Sequence, residues 1–339
     1  MTALRLHAAV AQLKLTVPFR ISGYLFKEQA AVRVTLDDGT HRGRGEASGI
    51  FYLGDTAASM MATLEQVRRT VEGGIDRAEL QELLPAGGPR NALDCALWEL
   101  EAQRTGTPVW RLAGLEAPRA LVTTFTIGAD DPEVMAAGAR QFGQARALKL
   151  KLTGDLGLDL ERVRAVRGAR PEVWMSVDAN QGYSIERLDA LIQGLVAEHV
   201  SLLEQPLKRG QESDLDGVRS PIPIAADESA LTLQDVAGLT GRFQVVTIKL
   251  DKCGGLTEGL AMAREARRLG LRVMVGNMMG SSLAMAPAFL VGQLCDVVDL
   301  DGPALITNDC EPAVTYRRGE IFCDDRVWGA TAQPERAVS

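Results

Sequence analysis

Histidine and lysine are scarce in this 339-residue sequence: three histidines (7, 41 and 199) and seven lysines stand against 30 arginines. None of the histidines lies near another motif, so proton chemistry at neutral pH must use other groups. The five cysteines (95, 253, 295, 310 and 323) are odd in number, scattered and without a CxxC pair. That excludes the usual zinc spacing and points to reduced thiols in a cytoplasmic protein. Long hydrophobic runs are absent too. No stretch of about 18 apolar residues occurs, and the opening "MTALRLHAAVAQLKLTV" alternates charged and apolar residues where an export signal needs an unbroken apolar segment. A net charge of -7 disfavours nucleic acid and anionic membrane as partners, which leaves a small molecule.

What is present is a repeat. Residues 1–115 read as α+β, with alternating segments at 2–17 and 29–36, turn glycines at 43, 45 and 49, and a helical stripe through Leu93, Ala96, Leu97 and Leu100. From about residue 120, strand-like runs recur roughly every 22 to 28 residues: 123–128, 147–152, 172–180, 200–207, 223–229, 244–251, 272–279 and 297–303. Helical segments fill the intervals, one opening at Asp131 and Pro132 and another running from Thr257 to Gly270. Alternating strands and helices with continuous apolar strands imply a parallel sheet buried on both faces. A closed barrel is expected over 116–305, with 306–339 returning to the first domain.

Three of the seven lysines sit inside these apolar strands: Lys149, Lys151 and Lys249. In "ALKLKL" the two-residue period puts Lys149 and Lys151 on one face. Late positions of the other strands carry Asp178, Glu204, Asp227, and Asp299 with Asp301. In a parallel barrel such positions converge on one mouth, where active sites are built. Taken singly each is an ordinary cap or ion-pair partner, but buried charge costs several kcal/mol per ion unless paired, so the set as a whole reads as functional. Three carboxylates on adjacent strands without sulfur or imidazole suit a hard cation, Mg²⁺. A general base should titrate at roughly 7 to 8, against roughly 10.4 for a free lysine, so Lys149 is expected to tune Lys151 downwards. Lys249 lies four strands away, and two opposed amines can remove a proton from one face of a carbon and return it to the other.

The K-x-K, D, E, D, K order resembles the enolase superfamily, muconate lactonizing enzyme subgroup. Further motifs, "LPAGGPRNALDCALWELEAQ", "LEQPL", "ADES", "IKLDKCGGLTE" and "DLDGP", are similar to those of dipeptide epimerases of the L-Ala-D/L-Glu type. The resemblance implies a modified (β/α)7β TIM barrel with an α+β capping domain. It also implies one Mg²⁺ on Asp178, Glu204 and Asp227, with Lys151 and Lys249 exchanging the α-proton of the dipeptide's second residue through an enediolate. Asp299 and Asp301 would meet the substrate's α-ammonium, and Thr124 and Asn277 would line the site. Specificity loops are implied at 18–28 and 48–54. Phe26 stands where glutamate-specific relatives carry arginine, with Arg20 close by. Ile50 and Phe51 make the second loop apolar, which favours a hydrophobic side chain at the second residue. A homo-oligomer is expected.

The same scaffold serves other reactions: the L-Ala-D/L-Glu epimerase proper, N-acylamino acid racemase, o-succinylbenzoate synthase and muconate cycloisomerase. The substrates of the last three have no free α-ammonium to meet the D-x-D pair. A non-catalytic binding barrel is a more distant alternative, disfavoured by retention of the lysines and carboxylates.

Overall fold

The computed structural model describes residues 4–21 and 24–329. Two strands, β1 (Arg5–Ile21) and β2 (Tyr24–Asp37), form a long antiparallel hairpin, and β3 (Arg42–Ser48) completes a three-stranded sheet in the order β1-β2-β3. Three helices follow: α1 (Ala57–Glu72), α2 (Arg77–Leu83) and α3 (Gly88–Thr105). Thr56 and Asp76 cap α1 and α2 by reciprocal capping boxes. Leu36, Leu64, Leu93 and Leu100 join sheet and helices in one apolar core.

The turn α4 (Val109–Leu112) and the short strand β4 (Leu121–Val122) lead into the barrel. Its eight parallel strands are β5 (Thr124–Ile127), β6 (Ala147–Lys151), β7 (Trp174–Asp178), β8 (Leu202–Glu204), β9 (Ile224–Ala226), β10 (Val245–Ile248), β11 (Arg272–Val275) and β12 (Val297–Val298). They pair in sequence order from β5 to β12. Side-chain bonds draw the two ends together: the Thr123 hydroxyl oxygen accepts from Leu300 N at 2.9 Å, and Asp301 accepts from Thr126 N at 2.6 Å. All eight expected strands are present.

The connecting elements are α5 (Pro132–Gln141), α6 (Leu156–Ala169), α7 (Ile185–Ala197), α8 (Leu233–Val236), α9 (Leu250–Cys253), α10 (Leu256–Arg268) and α11 (Ser282–Gly292). Strict alternation fails at one place: β8 and β9 are joined by a segment whose regular structure is one 3-10 turn, Glu212–Leu215. A second 3-10 turn, Gly302–Leu305, follows β12 in place of an eighth helix. The chain then bridges Leu15 through Ile306 and forms β13 (Thr315–Arg317) and β14 (Glu320–Phe322) against β4. It reaches the capping domain again where Trp328 Nε1 donates to the Arg44 carbonyl at 2.9 Å.

The period of two explains how the barrel is filled. On β6, Leu148 and Leu150 point outwards to the helices and join the large core, while Ala147, Lys149 and Lys151 point inwards. Inward residues near the strand starts, Leu202, Ala225, Val245 and Met274, form a separate apolar layer. Their successors two residues on, Glu204, Asp227, Thr247 and Gly276, are polar or small. One end of the barrel is plugged with hydrocarbon and the other is charged.

Two expectations are corrected. Within the loop implied at 18–28, the described residues 18–21 and 24–28 belong to β1 and β2 and pair as far as Ile21 with Tyr24. Gly43 and Gly45 are not turn residues: they lie in β3, where a Cβ would run into the carbonyl oxygens of Ala96 and Ala92 on α3. Strand and helix backbones are in direct contact there, which is why glycine is required. Gly45→Ala is therefore expected to cost about 1–3 kcal/mol and to lower the melting temperature by several degrees. Gly168→Ala in α6, where nothing lies within 4 Å of the added carbon, should leave it unchanged or slightly raised.

Candidate active site

The strand register sets three charged residues on one rung. Lys151 pairs with Asp178, and Asp178 with Glu204, across β6, β7 and β8. Asp227 follows immediately after β9, Lys249 is the N-cap of α9 after β10, and Asp299 follows β12. All six are buried. Oxygens of Asp178, Glu204 and Asp227 lie within 4.8 Å of one another. Asp227 lines a cleft that reaches from the barrel mouth to the capping domain, and Asp178 and Glu204 are fully buried beside it.

The ion pairs are specific. Lys151 Nζ donates to Asp178 Oδ2 at 2.5 Å, and Lys249 Nζ to Asp227 Oδ2 at 2.8 Å. Lys149 Nζ lies 2.8 Å from Asp299 Oδ2, 2.6 Å from Glu204 Oε2 and 3.4 Å from Asp178 Oδ2. The shared face expected for the two lysines is thus realised, and both touch one carboxylate oxygen. Burial alone would push the Lys149 ammonium down, but Asp299, Glu204 and Asp178 outweigh it and hold it well above the ordinary lysine range. Lys249 is raised in the same way, burial being outweighed chiefly by Asp227. Surrounding carboxylates, which sequence spacing does not weigh, decide the sign.

The cluster carries a charge imbalance. Four buried ammonium groups, on Lys149, Lys151, Lys249 and Lys252, face six buried carboxyls, on Asp178, Glu204, Asp227, Glu228, Asp299 and Asp301. Among the described residues, both Glu204 oxygens lack a directed hydrogen bond despite the nearby Lys149. Burial first, and then Asp178 and Asp227, push Glu204 up to about 7. Burial, Asp227 and Asp178 push Glu228 up to about 8. A hard dication among the three carboxylates would remove this frustration, so the residues present fit Mg²⁺.

The remaining expected residues fall into two groups. Phe26, Phe51, Asn277, Asp299 and Asp301 line the cleft. The Phe26 and Phe51 rings meet edge-on at 5.5 Å, and Asn277 Nδ2 donates to the Asp299 carbonyl at 2.5 Å. Arg20 is exposed and does not line the cleft, its carbonyl accepting from Ala129 N at 3.0 Å. Ile50 is fully buried beneath its loop. Thr124 sits too deep, where its hydroxyl donates to Asp299; Thr126, one inward position higher and paired with Lys149, is the threonine at the cleft.

Sequence reasoning passed over Lys252, Asn180, Glu228 and the hydroxyl of Tyr52. Lys252 is buried and donates to Asp227 Oδ1 at 2.6 Å and to the carbonyls of Asp227 and Thr247. Its signal was available: it follows Lys249 by three residues, one helical turn on α9. Asn180 accepts nothing at Oδ1 but donates to Glu228 Oε1 at 3.4 Å, and both line the cleft.

Residues 5–114 match the family described as mandelate racemase / muconate lactonizing enzyme, N-terminal domain, and residues 133–321 match enolase C-terminal domain-like. The chain belongs to this branch of the enolase superfamily. It is 40% identical to L-Ala-D/L-Glu epimerase of Escherichia coli over 307 residues, 91% of this chain and 96% of the relative. It is 38% identical to N-acetyl-D-glutamate racemase of a Pseudoalteromonas species over 263 residues, 77% of this chain and 82% of the relative. The crystal structure of a dipeptide epimerase from Methylococcus capsulatus, complexed with Mg and L-Arg-D-Lys, superposes with a TM-score of 0.90 at 30% identity, covering 98% of this chain and all of that one. Within this superfamily member, no described helix is long and apolar enough to cross a membrane.

The raised carboxyls make a signed prediction for the metal-free protein. Glu204 and Glu228 hold protons more tightly folded than unfolded, so stability falls as pH rises through about 7 to 8. Saturating Mg²⁺ should offset the loss, raising stability by about 2–3 kcal/mol at a hundredfold excess over Kd. Melting curves from pH 6 to 9 with and without Mg²⁺ measure both effects, and Glu204→Gln should abolish the Mg²⁺-dependent rise.

Proposed function

We propose that the protein is a Mg²⁺-dependent dipeptide epimerase that inverts the α-carbon of the second residue, with a preference for apolar side chains there. The observation that carries the reaction is the opposition of Lys151 and Lys249. They stand four strands apart in an eight-stranded ring, both line the cleft, and each is anchored on its own carboxylate.

The roles follow from position. Asp178, Glu204 and Asp227 would hold the ion, which supplies positive charge beside the substrate carboxylate and so acidifies the neighbouring carbon. One lysine Nζ takes the α-proton and the other, held as an ammonium, returns a proton to the opposite face. Lys249, kept protonated by Asp227, is suited to the second task in one direction and must lose its proton before serving in the other. Asp301 is the candidate for the α-ammonium: it lines the cleft, and burial together with Asp299 pushes it up to about 6, a condition a bound cation relieves. Asp299 is already paired with Lys149, so its part is to hold that lysine.

The substrate preference rests on the far wall of the cleft. Phe26, Phe51, Met278, Met279 and Leu305 supply its apolar surface, and among the described residues no arginine lines it. A second reading, a glutamate-containing substrate, is favoured by the names of the relatives at 40% and 38% identity. In either reading the enzyme is cytoplasmic, in keeping with five free cysteines, and homo-oligomeric, with Val10, Val17 and Leu25 as exposed apolar surface for an interface.

Deuterium uptake from D₂O across a set of Ala-Xaa dipeptides tests the reaction and the preference together. Ala-Leu and Ala-Phe should outpace Ala-Glu; the reverse order would establish the second reading. Lys151→Ala and Lys249→Ala should each abolish epimerisation, while one still exchanges deuterium into a single epimer, and full turnover by either would refute the two-base scheme. Asp301→Asn should lower kcat/KM for dipeptides by at least about tenfold, and much less for N-acylated amino acids, which carry no ammonium.

A further inference from the structure

Tyr52 belongs to the capping domain, on the 3-10 turn Phe51–Leu53, and its ring meets Phe51 edge-on at 5.3 Å. It lines the cleft, yet its hydroxyl oxygen is buried and has no hydrogen-bond partner among the described residues. A buried phenol without an acceptor costs on the order of 1–3 kcal/mol, so the site is organised for a partner that arrives with the ligand.

The surroundings say which part of a ligand that is. Burial raises the phenol far above its ordinary range, and Asp227, Glu228 and Asp178 add to that shift. Tyr52 lines the same cleft as Asp227, Glu228 and Asn180, and its hydroxyl is a donor without an acceptor, which in a dipeptide the carboxylate best supplies. The neighbouring carboxylates do not supply the acceptor. Asp227 uses its oxygens on Lys249 and Lys252, and Asp178 uses its own on Lys151 and Asn180 N. Glu228 Oε2 is itself unpartnered, so it and the phenol are not bonded to each other.

We propose that Tyr52 touches the substrate, its Oη–H donating to the carboxylate of the dipeptide's second residue. This rests on the reading that the cleft binds a dipeptide with its carboxylate toward Asp178, Glu204 and Asp227 and its ammonium toward Asp301. The donor would strengthen as negative charge gathers on that carboxylate during proton removal, so it contributes to rate as well as binding.

Tyr52→Phe removes the hydroxyl and keeps the ring, and it is compared with wild type on the Ala-Xaa dipeptide that wild type turns over best. The expected result is a kcat/KM lower by roughly 10- to 100-fold with kcat reduced, while the Mg²⁺-dependent rise in melting temperature is unchanged. Kinetics within about twofold of wild type would overturn the proposal, as would loss of the Mg²⁺-dependent rise, which would make Tyr52 part of the metal site instead. Wild type inert towards every dipeptide would bring down the function itself, and this contact with it, whereas a defect confined to the comparison of the two proteins judges Tyr52 alone.

Discussion

Everything at the barrel mouth depends on six carboxyls and four ammonium groups held out of water. A buried ion is costly unless paired, and pairs in low dielectric are strong only when geometry is fixed. The barrel supplies that geometry through its register. Lys151, Asp178 and Glu204 are level on three adjacent strands, so their separation is set by backbone hydrogen bonds and not by side-chain choice. The apolar layer of Leu202, Ala225, Val245 and Met274 beneath them closes the other end to water. Without that plug the charges would be screened and the carboxylates could relax apart.

The capping domain completes the enclosure, and it is bound to the barrel by polar contacts as well as by apolar ones. Ser48 N donates to Asp251 Oδ1 at 2.8 Å and the Ser48 hydroxyl to the Met279 carbonyl at 2.6 Å. Glu46 accepts from Ser281 N and Oγ at 2.7 and 2.8 Å, and Trp98 Nε1 donates to Thr257 Oγ1 at 2.9 Å. Asp251 lies between Lys249 and Lys252 on α9, so the bond to Ser48 ties the aromatic loop directly to the turn that carries both lysines. The apolar wall proposed to read the side chain and the lysine proposed to move the proton are therefore tied together through Asp251 and Ser48.

The sequence made the barrel legible because each strand is short, apolar and ends in a charge, and all eight were found on that pattern. The ring of Lys151, Asp178, Glu204, Asp227 and Lys249 was legible for the same reason. What escaped was whatever depends on approach between distant segments. Gly43 and Gly45 look like turn glycines beside "DDGT", and only the contact with α3 gives them their purpose. Thr124 was preferred to Thr126 because depth along a strand is not visible without the pairing to Lys149. The resemblance implied a loop at 18–28, although strand pairing runs as far as Ile21 with Tyr24. That carboxylates from β7, β8 and the residue after β12 converge on Lys149 is likewise visible only in the fold.

The two sides of the cleft repeat one arrangement. Asp178 is shared by Lys151 and Lys149, and Asp227 by Lys249 and Lys252. On the Asp227 side Lys249 lines the cleft and Lys252 does not, whereas on the Asp178 side both Lys151 and Lys149 line it, Lys149 being the more deeply buried. The second cation of each pair adds to the pull that keeps its carboxylate ionised. That matters for a two-base reaction, since an Asp that took up a proton whenever its lysine became neutral would stop holding an ion and would compete for the proton in transit. Burial tends to raise Asp178 and Asp227, yet both are held below the ordinary carboxylate range by their pairs of lysines. Glu204, which has no lysine of its own and only a share of Lys149, is the one of the three pushed up. The three candidate ligands thus divide into two held low by their lysines and one pushed up by burial.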